Sequence, residues 1–569
     1  MKRQILGFVI AAVIIGPVSS AEIAADLILT GGKVKTSAGW AEALAVRDGV
    51  IVAVGSAAEV DALRIWRTQV INLNGDTVLP GLHDTHVHPL YAGLSARRCQ
   101  IKQGSTLQEM QASVKSCVAR AAPGAWITGG QWDASAIGQA PNSAMLDAVA
   151  PNNPVLLVDT SGHSSLANTL ALKAAGITRD TPNPPNGIIE RDGRAEPTGV
   201  FREDAMLLVS RPVPEPTDEE VREALQWALD TMVSFGITSF TEADMGFVAG
   251  SMKEIRAYAA LADSGALKQR ARLCMQWSPG NTADEDVIMT RNLHARDRVS
   301  PVCVKMILDG VPTDSHTAAM LEPYGSRIEG RTDDAARYGM LLVEQTVLDK
   351  AVTRFDRMGL AVKFHAAGDG AVHAGLNAIE AARKANGFSG LLHDVGHCTF
   401  VAKSDVGRAR ALGAVFEVSP YLWSPSPIND DIIKAIGDAR MDRVWPVREL
   451  LESGALVVPG SDWSVVPSAN PWIGMETLVT RQEPGGSTDT YGGAEAITLD
   501  QAFDMFTVNS SHYAGTSNRV GRIEAGMLAD VIVVDQDPFA VPVTQVHATR
   551  VKMTFIGGEK VFDAAAAPK

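Results

Sequence analysis

The stretch Leu79-Pro80-Gly81-Leu82-His83-Asp84-Thr85-His86-Val87-His88-Pro89 decides how this chain is read. An apolar run leads straight into three histidines, and His86 and His88 stand two residues apart. In an extended strand, residues i and i+2 point to the same face. Two imidazoles on one face at a strand end can close on a single metal ion, and imidazole is a common ligand for zinc and other transition metals. The plainer alternative is a pair of polar residues at a strand end. Which reading holds depends on whether the rest of the chain supplies matching ligands.

Outward from this stretch, the ends of the chain are β-rich. Residues 26–30 and 34–36 read as short strands, and 43–46 with 50–54 as a hairpin turning at Asp48-Gly49. Strand patterns continue at 70–73 and 76–79, and return only at 531–534, 551–556 and 560–562. Neither end has an obvious core of its own, so both are expected to pair into one β-sandwich, 22–80 with 516–563, followed by a disordered tail at 564–569. Between them, strand and helix patterns alternate. Residues 217–235 are amphipathic, open on a Thr-Asp-Glu-Glu capping box and stop at Gly236. Strands follow at 237–241, 270–276, 302–308, 360–365, 415–418 and 456–458, with helices at 347–358 and 371–384. This many repeated units favour an α/β fold of the (β/α)8 TIM-like barrel type over 81–515. Residues 95–215 do not fit a barrel unit; they read as an insertion after the first barrel strand that folds over the active face.

With 569 residues the chain exceeds what one compact core holds. A net charge of -14 argues against nucleic acid as a partner, because phosphate binding needs clustered Lys and Arg. Lys2 and Arg3, the apolar run 5–15, the break at Gly16-Pro17 and small residues at 18–21 read as a signal peptide cleaved after Ala21. Export to a bacterial periplasm is expected, with no stable membrane insertion after cleavage. The five cysteines contain no Cys-x-x-Cys, so a cysteine metal site is not expected. Cys99 and Cys117 flank one predicted helix and can pair; buried free thiols are the alternative.

In a barrel, chemistry sits at the C-terminal ends of the strands. The metal-capable residues that end predicted strands are His86 and His88, Lys305 just before Asp309-Gly310, His365, His397 and Asp462. Singly each has a dull explanation: a hydrogen-bonded core histidine, a snorkelling lysine, a helix cap. Jointly the dull reading needs six residues to reach one barrel face by accident.

The ordered set resembles the amidohydrolase superfamily, and within it the amidohydrolase-3 branch that includes N-substituted formamide deformylases. Its carriers are residues 80–88, Ser161-Gly162-His163, Pro197-Thr198-Gly199-Val200, Val304-Lys305 with Asp309-Gly310, His365-Ala366-Ala367-Gly368-Asp369, Gly460-Ser461-Asp462 and 521–530. The resemblance implies His86, His88, His365, His397 and Asp462 as ligands of a divalent metal, zinc foremost, with one or two ions bridged by a carboxylated Lys305. It also implies two departures. Val395-Gly396-His397 stands where the family usually has Ile-Glu-His, which removes a carboxylate beside His397. Ser419-Pro420 stands where it has Gln-Pro, which alters the pocket wall.

The reaction expected is hydrolysis of a C–N bond in a non-peptide amide of a small molecule. Asp462 would move the proton and His163 would steady the carbonyl oxygen. Lactone or ester hydrolysis, deamination, and a non-catalytic barrel are the competing readings, because one fold serves many chemistries. Trp132, Asp133, His163, Arg202 and Trp463 are the candidate substrate contacts. His83 and Asp84 are expected to brace the metal strand. His294, His316, His373, His393, His512 and His547 are expected to be structural. A homodimer is compatible with all of this.

Overall fold

The structure, a computed structural model, describes residues 24–313, 315–328, 333–422 and 425–566. The expected signal peptide, up to residue 21, lies outside the described residues.

Eight parallel strands form the central sheet: β1 Leu82–Val87, β2 Ile237–Met245, β3 Arg270–Gln276, β4 Val299–Ile307, β5 Ala361–Ala366, β6 Asp394–His397, β7 Val415–Val418 and β8 Leu456–Pro459. They are hydrogen-bonded in that order from β1 to β8. The gap between β8 and β1 is bridged at the C-terminal ends of the strands: Thr85 Oγ1 donates to the Pro459 carbonyl (2.8 Å), Asp462 N–H to His86 O (2.7 Å) and His88 N–H to Trp463 O (2.8 Å). Strands covered on both faces should be apolar throughout, and β1, β2, β5, β6 and β7 are buried at every position. Helices pack outside. Asp218–Ser234 opens on the expected capping box, Thr217 with Glu220, and buries Val221, Leu225, Leu229 and Met232 at helical spacing.

Both chain ends enter one eight-stranded sheet. Val531–Val534 from the C-terminal part pairs antiparallel with Thr77–Pro80 from the N-terminal part. The hairpin turn at Asp48-Gly49 is observed, both residues having positive φ (49° and 78°). The two short strands expected at 26–30 and 34–36 are instead one strand, Leu27–Thr36, irregular between Thr30 and Val34. Gly31 sits there at φ 77°, so the backbone bulges and continues where the sequence suggested a break. Of the tail expected to be disordered, 564–566 form a turn, with Ala564 N–H bonded to Lys552 O (2.9 Å); 567–569 lie outside the described residues.

The insertion has more order than its loop-like sequence suggests. Six strands within 99–203 form a separate sheet with its own apolar clusters. The Gly129-Gly130 pair lies inside strand Ile127–Trp132, where a Cβ on Gly129 would stand 2.1 Å from Cys99 O and one on Gly130 2.7 Å from Val158 O. Glycine here permits close strand approach. The Pro-, Asn- and Gly-rich stretch Asn183–Thr198 contains strand Gly187–Arg191 and the start of Pro197–Glu203.

Cys99 and Cys117 are disulfide-bonded, as are Cys274 and Cys303, which face each other in register on β3 and β4; Cys398 is a buried thiol. The second pairing was hidden because its partners are 29 residues apart and meet only through the barrel register.

Candidate metal centre

The six strand-end residues converge. His86 Nε2 lies 3.8 Å, and His88 Nε2 3.3 Å, from Asp462 Oδ1; His397 Nδ1 lies 3.8 Å from Asp462 Oδ2. The ring centroids of His86 and His397 are 4.6 Å apart, and those of His365 and His397 4.5 Å. His86, His88 and Asp462 are grouped closely enough for one ligand atom from each to share an ion. Lys305 is buried beside them on β4, in register with Lys363 on β5.

The backbone is bent to make this arrangement. Asp462 has φ 59° and His397 φ 69°, a left-handed conformation uncommon for non-glycine residues. At Asp462 the N–H bond to His86 O holds it. Asp84 ties the two ends of the barrel together, its Oδ1 accepting from His86 N–H (3.1 Å) and Ser461 N–H (3.0 Å). This is the bracing expected of it. His83 is buried, neither ring nitrogen has a hydrogen-bond partner among the described residues, and burial with the nearby Arg272 charge pushes it down to about 3.

Each imidazole is oriented through its Nδ1. His86 Nδ1 is 2.5 Å from Glu417 Oε2, and His88 Nδ1 is 3.4 Å from Glu242 Oε1. His365 Nδ1 is 3.1 Å from Asp309 Oδ1, and His397 Nδ1 is 3.2 Å from Ser419 Oγ. His163, brought in by the insertion, has Nδ1 2.9 Å from Glu203 Oε2, and its ring centroid is 5.1 Å from that of His365. A histidine whose Nδ1–H is given to a carboxylate offers a lone pair at Nε2, the usual arrangement of metal-ligating imidazoles. His86 Nε2 is buried without a hydrogen-bond partner among the described residues. A buried acceptor left in this way is costly unless a cation takes it, so the donor set fits a divalent metal.

Electrostatics agree. Burial, reinforced by the Lys305 charge, holds His86 and His397 well below the usual imidazole range; burial, with His163 and Lys305, does the same for His365. All three are therefore neutral and able to bind metal. At His88 burial is outweighed by Asp462 and Glu242, which push it up to about 10 in the absence of a competing cation. At His163 burial is outweighed by Glu203, and the ring rises to about 9. Burial lowers Lys305, against the opposing pull of Asp244. Asp309 is raised to about 8 by burial, although the backbone N–H groups of Gly368, Ala367 and Ala319 hold it down.

A family model described as the amidohydrolase family matches residues 69–562. The chain belongs to the amidohydrolase family. Its relatives include the Arabidopsis thaliana protein LONG AFTER FAR-RED 3, 30% identical over 95% of this chain and 92% of that one. An N-substituted formamide deformylase from Arthrobacter pascens is 28% identical over 94% and 97%. Among solved structures, an uncharacterized metal-dependent hydrolase from Pyrococcus horikoshii superposes with a TM-score of 0.68 at 22% identity, covering 91% of this chain and 99% of that one. The barrel fold is thus shared.

In this amidohydrolase the expected substrate contacts Trp132, Asp133, His163 and Arg202 lie in the insertion, and Trp463 directly follows Asp462. Trp132 is buried and its Nε1–H donates to Leu157 O (3.2 Å) inside the insertion. Asp133 Oδ1 caps the short helix Ala134–Ile137, while Oδ2 has no hydrogen-bond partner among the described residues; both residues line a small cavity with Asp159, Ser161, Thr313 and Asp431. Arg202 bonds Glu190 (2.8 Å) and Ser164 Oγ (3.2 Å), and Trp463 packs on Trp227. His163 has a ring contact with His365. The insertion reaches the site a second time: Gln131 Nε2 donates to Ser464 O and Val465 O (2.8 and 3.0 Å), just past Asp462.

Several functional neighbours were missed in the sequence: Glu417, Lys363, Asp394, Glu242 and Asp244. Lys363 is fully buried, with Nζ 3.0 Å from Asp394 Oδ1 and 3.4 Å from Glu417 Oε2. The carboxylate expected to be lost with Gly396 is not lost from the space: Glu417 Oε2 stands 2.6 Å from where a Cβ on Gly396 would be. His393, four residues before His397, is structural as expected, bonded to Val362 N–H and to Asp356 (both 2.9 Å).

Proposed function

We propose that this amidohydrolase binds one or two divalent cations, zinc foremost, through His86, His88, His365, His397, Asp462 and a carboxylated Lys305, and hydrolyses a C–N bond in a non-peptide amide of a small molecule. The observation that carries this reading is the buried Nε2 of His86, without a hydrogen-bond partner among the described residues and aimed, with Nε2 of His88, at Asp462 Oδ1. A divalent cation held there polarises a carbonyl oxygen and acidifies water. Asp462 takes the proton of the attacking water and passes it to the leaving nitrogen. His163, steadied by Glu203, supplies a hydrogen bond to the oxygen as negative charge develops on it. Burial favours the neutral Lys305 amine, the form that reacts with carbon dioxide. The name of the Arthrobacter pascens relative, a formamide deformylase, supports an amide as substrate.

The same proposal puts the mature chain in an oxidising compartment, a bacterial periplasm; its two disulfides support this.

The test is the purified protein against panels of N-formyl and N-acyl amides, lactones and amino-purines. Amide hydrolysis abolished by a chelator and restored by zinc is expected, and Asp462→Asn is expected to keep most of the metal while losing turnover. Turnover confined to lactones or amino-purines overturns the amide reading, and full activity in Asp462→Asn overturns the proton-transfer role.

A further inference from the structure

We propose that Glu417 is a positioning residue of the metal centre: its carboxylate holds the Nδ1 proton of His86 and thereby presents Nε2 of that ring to the cation. This inference rests on the metal-binding reading above. The carboxylate oxygen Oε2 and Nδ1 are 2.5 Å apart. Two ligand atoms each about 2.1 Å from one tetrahedral ion would stand ~3.4 Å apart, so this contact is a hydrogen bond with no ion between its partners. The other nitrogen of the ring, without a hydrogen-bond partner among the described residues, faces Asp462.

Glu417 is itself held. Lys363 Nζ and the His397 N–H both reach Oε2 at 3.4 Å, Lys363 is bonded to Asp394, and the Tyr513 hydroxyl donates to Asp394 Oδ2 (2.6 Å). The chain of contacts therefore runs from the barrel wall to the metal-facing ring without reaching solvent, since the side chains of Lys363, Asp394 and Glu417 are fully buried.

Strand β6 and the residue just after β8 make room for it. A Cβ on Gly396 would meet Glu417 Oε2 at 2.6 Å, and a Cβ on Gly460 would meet Glu417 Oε1 at 2.8 Å and His86 Cβ at 2.2 Å. Neither glycine has a positive φ, so the backbone does not demand glycine there. What both positions require is the absence of a side chain, and the volume left open is filled by the carboxylate and the imidazole it orients.

A buried ion pair that merely braced the barrel would change stability and leave metal binding alone. The experiment therefore reads both. Metal-free full-length protein and Glu417→Leu, which leaves no acceptor for the Nδ1 proton, are titrated with Zn2+ against a chromophoric chelator, and each metal-free form is unfolded in urea. The expected result is a Zn2+ affinity lowered by about 10–100-fold in Glu417→Leu, with a cooperative urea transition showing that the metal-free variant is folded. A folded variant with unchanged Zn2+ affinity overturns the proposal. Failure of the unaltered protein to bind Zn2+ overturns the metal reading itself, a distinguishable result. If Glu417→Leu does not fold, a crystal structure of the unaltered Zn2+-loaded protein decides. His86 bound through Nε2 with Nδ1 still on Glu417 sustains the inference; Nδ1 or the Glu417 carboxylate on the ion overturns it.

Discussion

Asp309→Asn separates the structural from the metal-orienting work of one carboxylate. Asp309 accepts four hydrogen bonds: at Oδ1 from His365 Nδ1 (3.1 Å) and Ala367 N–H (3.0 Å), at Oδ2 from Ala319 N–H (3.0 Å) and Gly368 N–H (2.8 Å). Asparagine has one acceptor oxygen and can be placed in two ways. With the oxygen toward His365 and Ala367, the N–H groups of Ala319 and Gly368 both lose their acceptor. At about 1–3 kcal/mol for each buried unsatisfied group, that costs ~2–6 kcal/mol. With the oxygen toward Ala319 and Gly368, only Ala367 N–H is orphaned, at ~1–3 kcal/mol. The new NH2 can then donate to His365 Nδ1, provided that the ring moves its own proton to Nε2. The second placement is cheaper, and it blocks the nitrogen that a metal needs. Asp309→Asn is therefore expected to fold with a stability loss of about 1–3 kcal/mol and to bind Zn2+ about 10–100-fold more weakly. Urea unfolding of the metal-free protein measures the first, and competition with a chromophoric chelator the second. A folded variant with unchanged Zn2+ affinity would show that the tautomer of His365 does not depend on Asp309 and would refute the argument.

Two further outcomes are expected. Carboxylation of Lys305 predicts a carbamate visible as branched density on Nζ in a crystal structure of the metal-loaded protein; a bare lysine at full metal occupancy removes the bridging role. His393 is held below its ordinary range by burial, with Arg383 adding to the effect and Asp356 opposing it. A histidine kept neutral on folding contributes stability that is present above its unfolded pKa, about 6.5, and is lost as pH falls from there toward the lower folded value. The urea midpoint of the metal-free protein should accordingly fall between pH 7.5 and pH 5.5, and fall less in His393→Gln; an equal drop in both forms excludes His393 as a source.

What could be read in the sequence follows from which interactions are local. The His86-Val87-His88 alternation, the Thr217–Glu220 capping box and the Asp48-Gly49 turn each declare themselves within a few residues, and all three are found as expected. The convergence of the strand-end residues became legible because a parallel barrel delivers every strand's C-terminal end to one face, so that order along the chain stands in for position. The insertion was less legible: glycines that allow close strand pairing at 129 and 130 look, in sequence, like glycines of a loop. The carboxylates behind the histidines were illegible for a different reason. Glu417 reaches His86 across 331 residues of chain, and only the closure of the barrel brings β7 near β1.

Lys363 is the instructive case, because its signal was present. It lies two residues before His365, on the same face of a strand that is apolar at the positions around it. A strand in a parallel barrel is covered on both sides, so a lysine in its middle cannot be solvated and must meet an anion inside the fold. That anion could only come from another strand at the same level, and a glutamate stands in the middle of the equally apolar Val415–Val418. Treating each charge inside an apolar barrel strand as part of a buried pair would have pointed from Lys363 to Asp394 on the adjacent strand and to Glu417 on the one beyond it, and from Glu417 to the ring it orients.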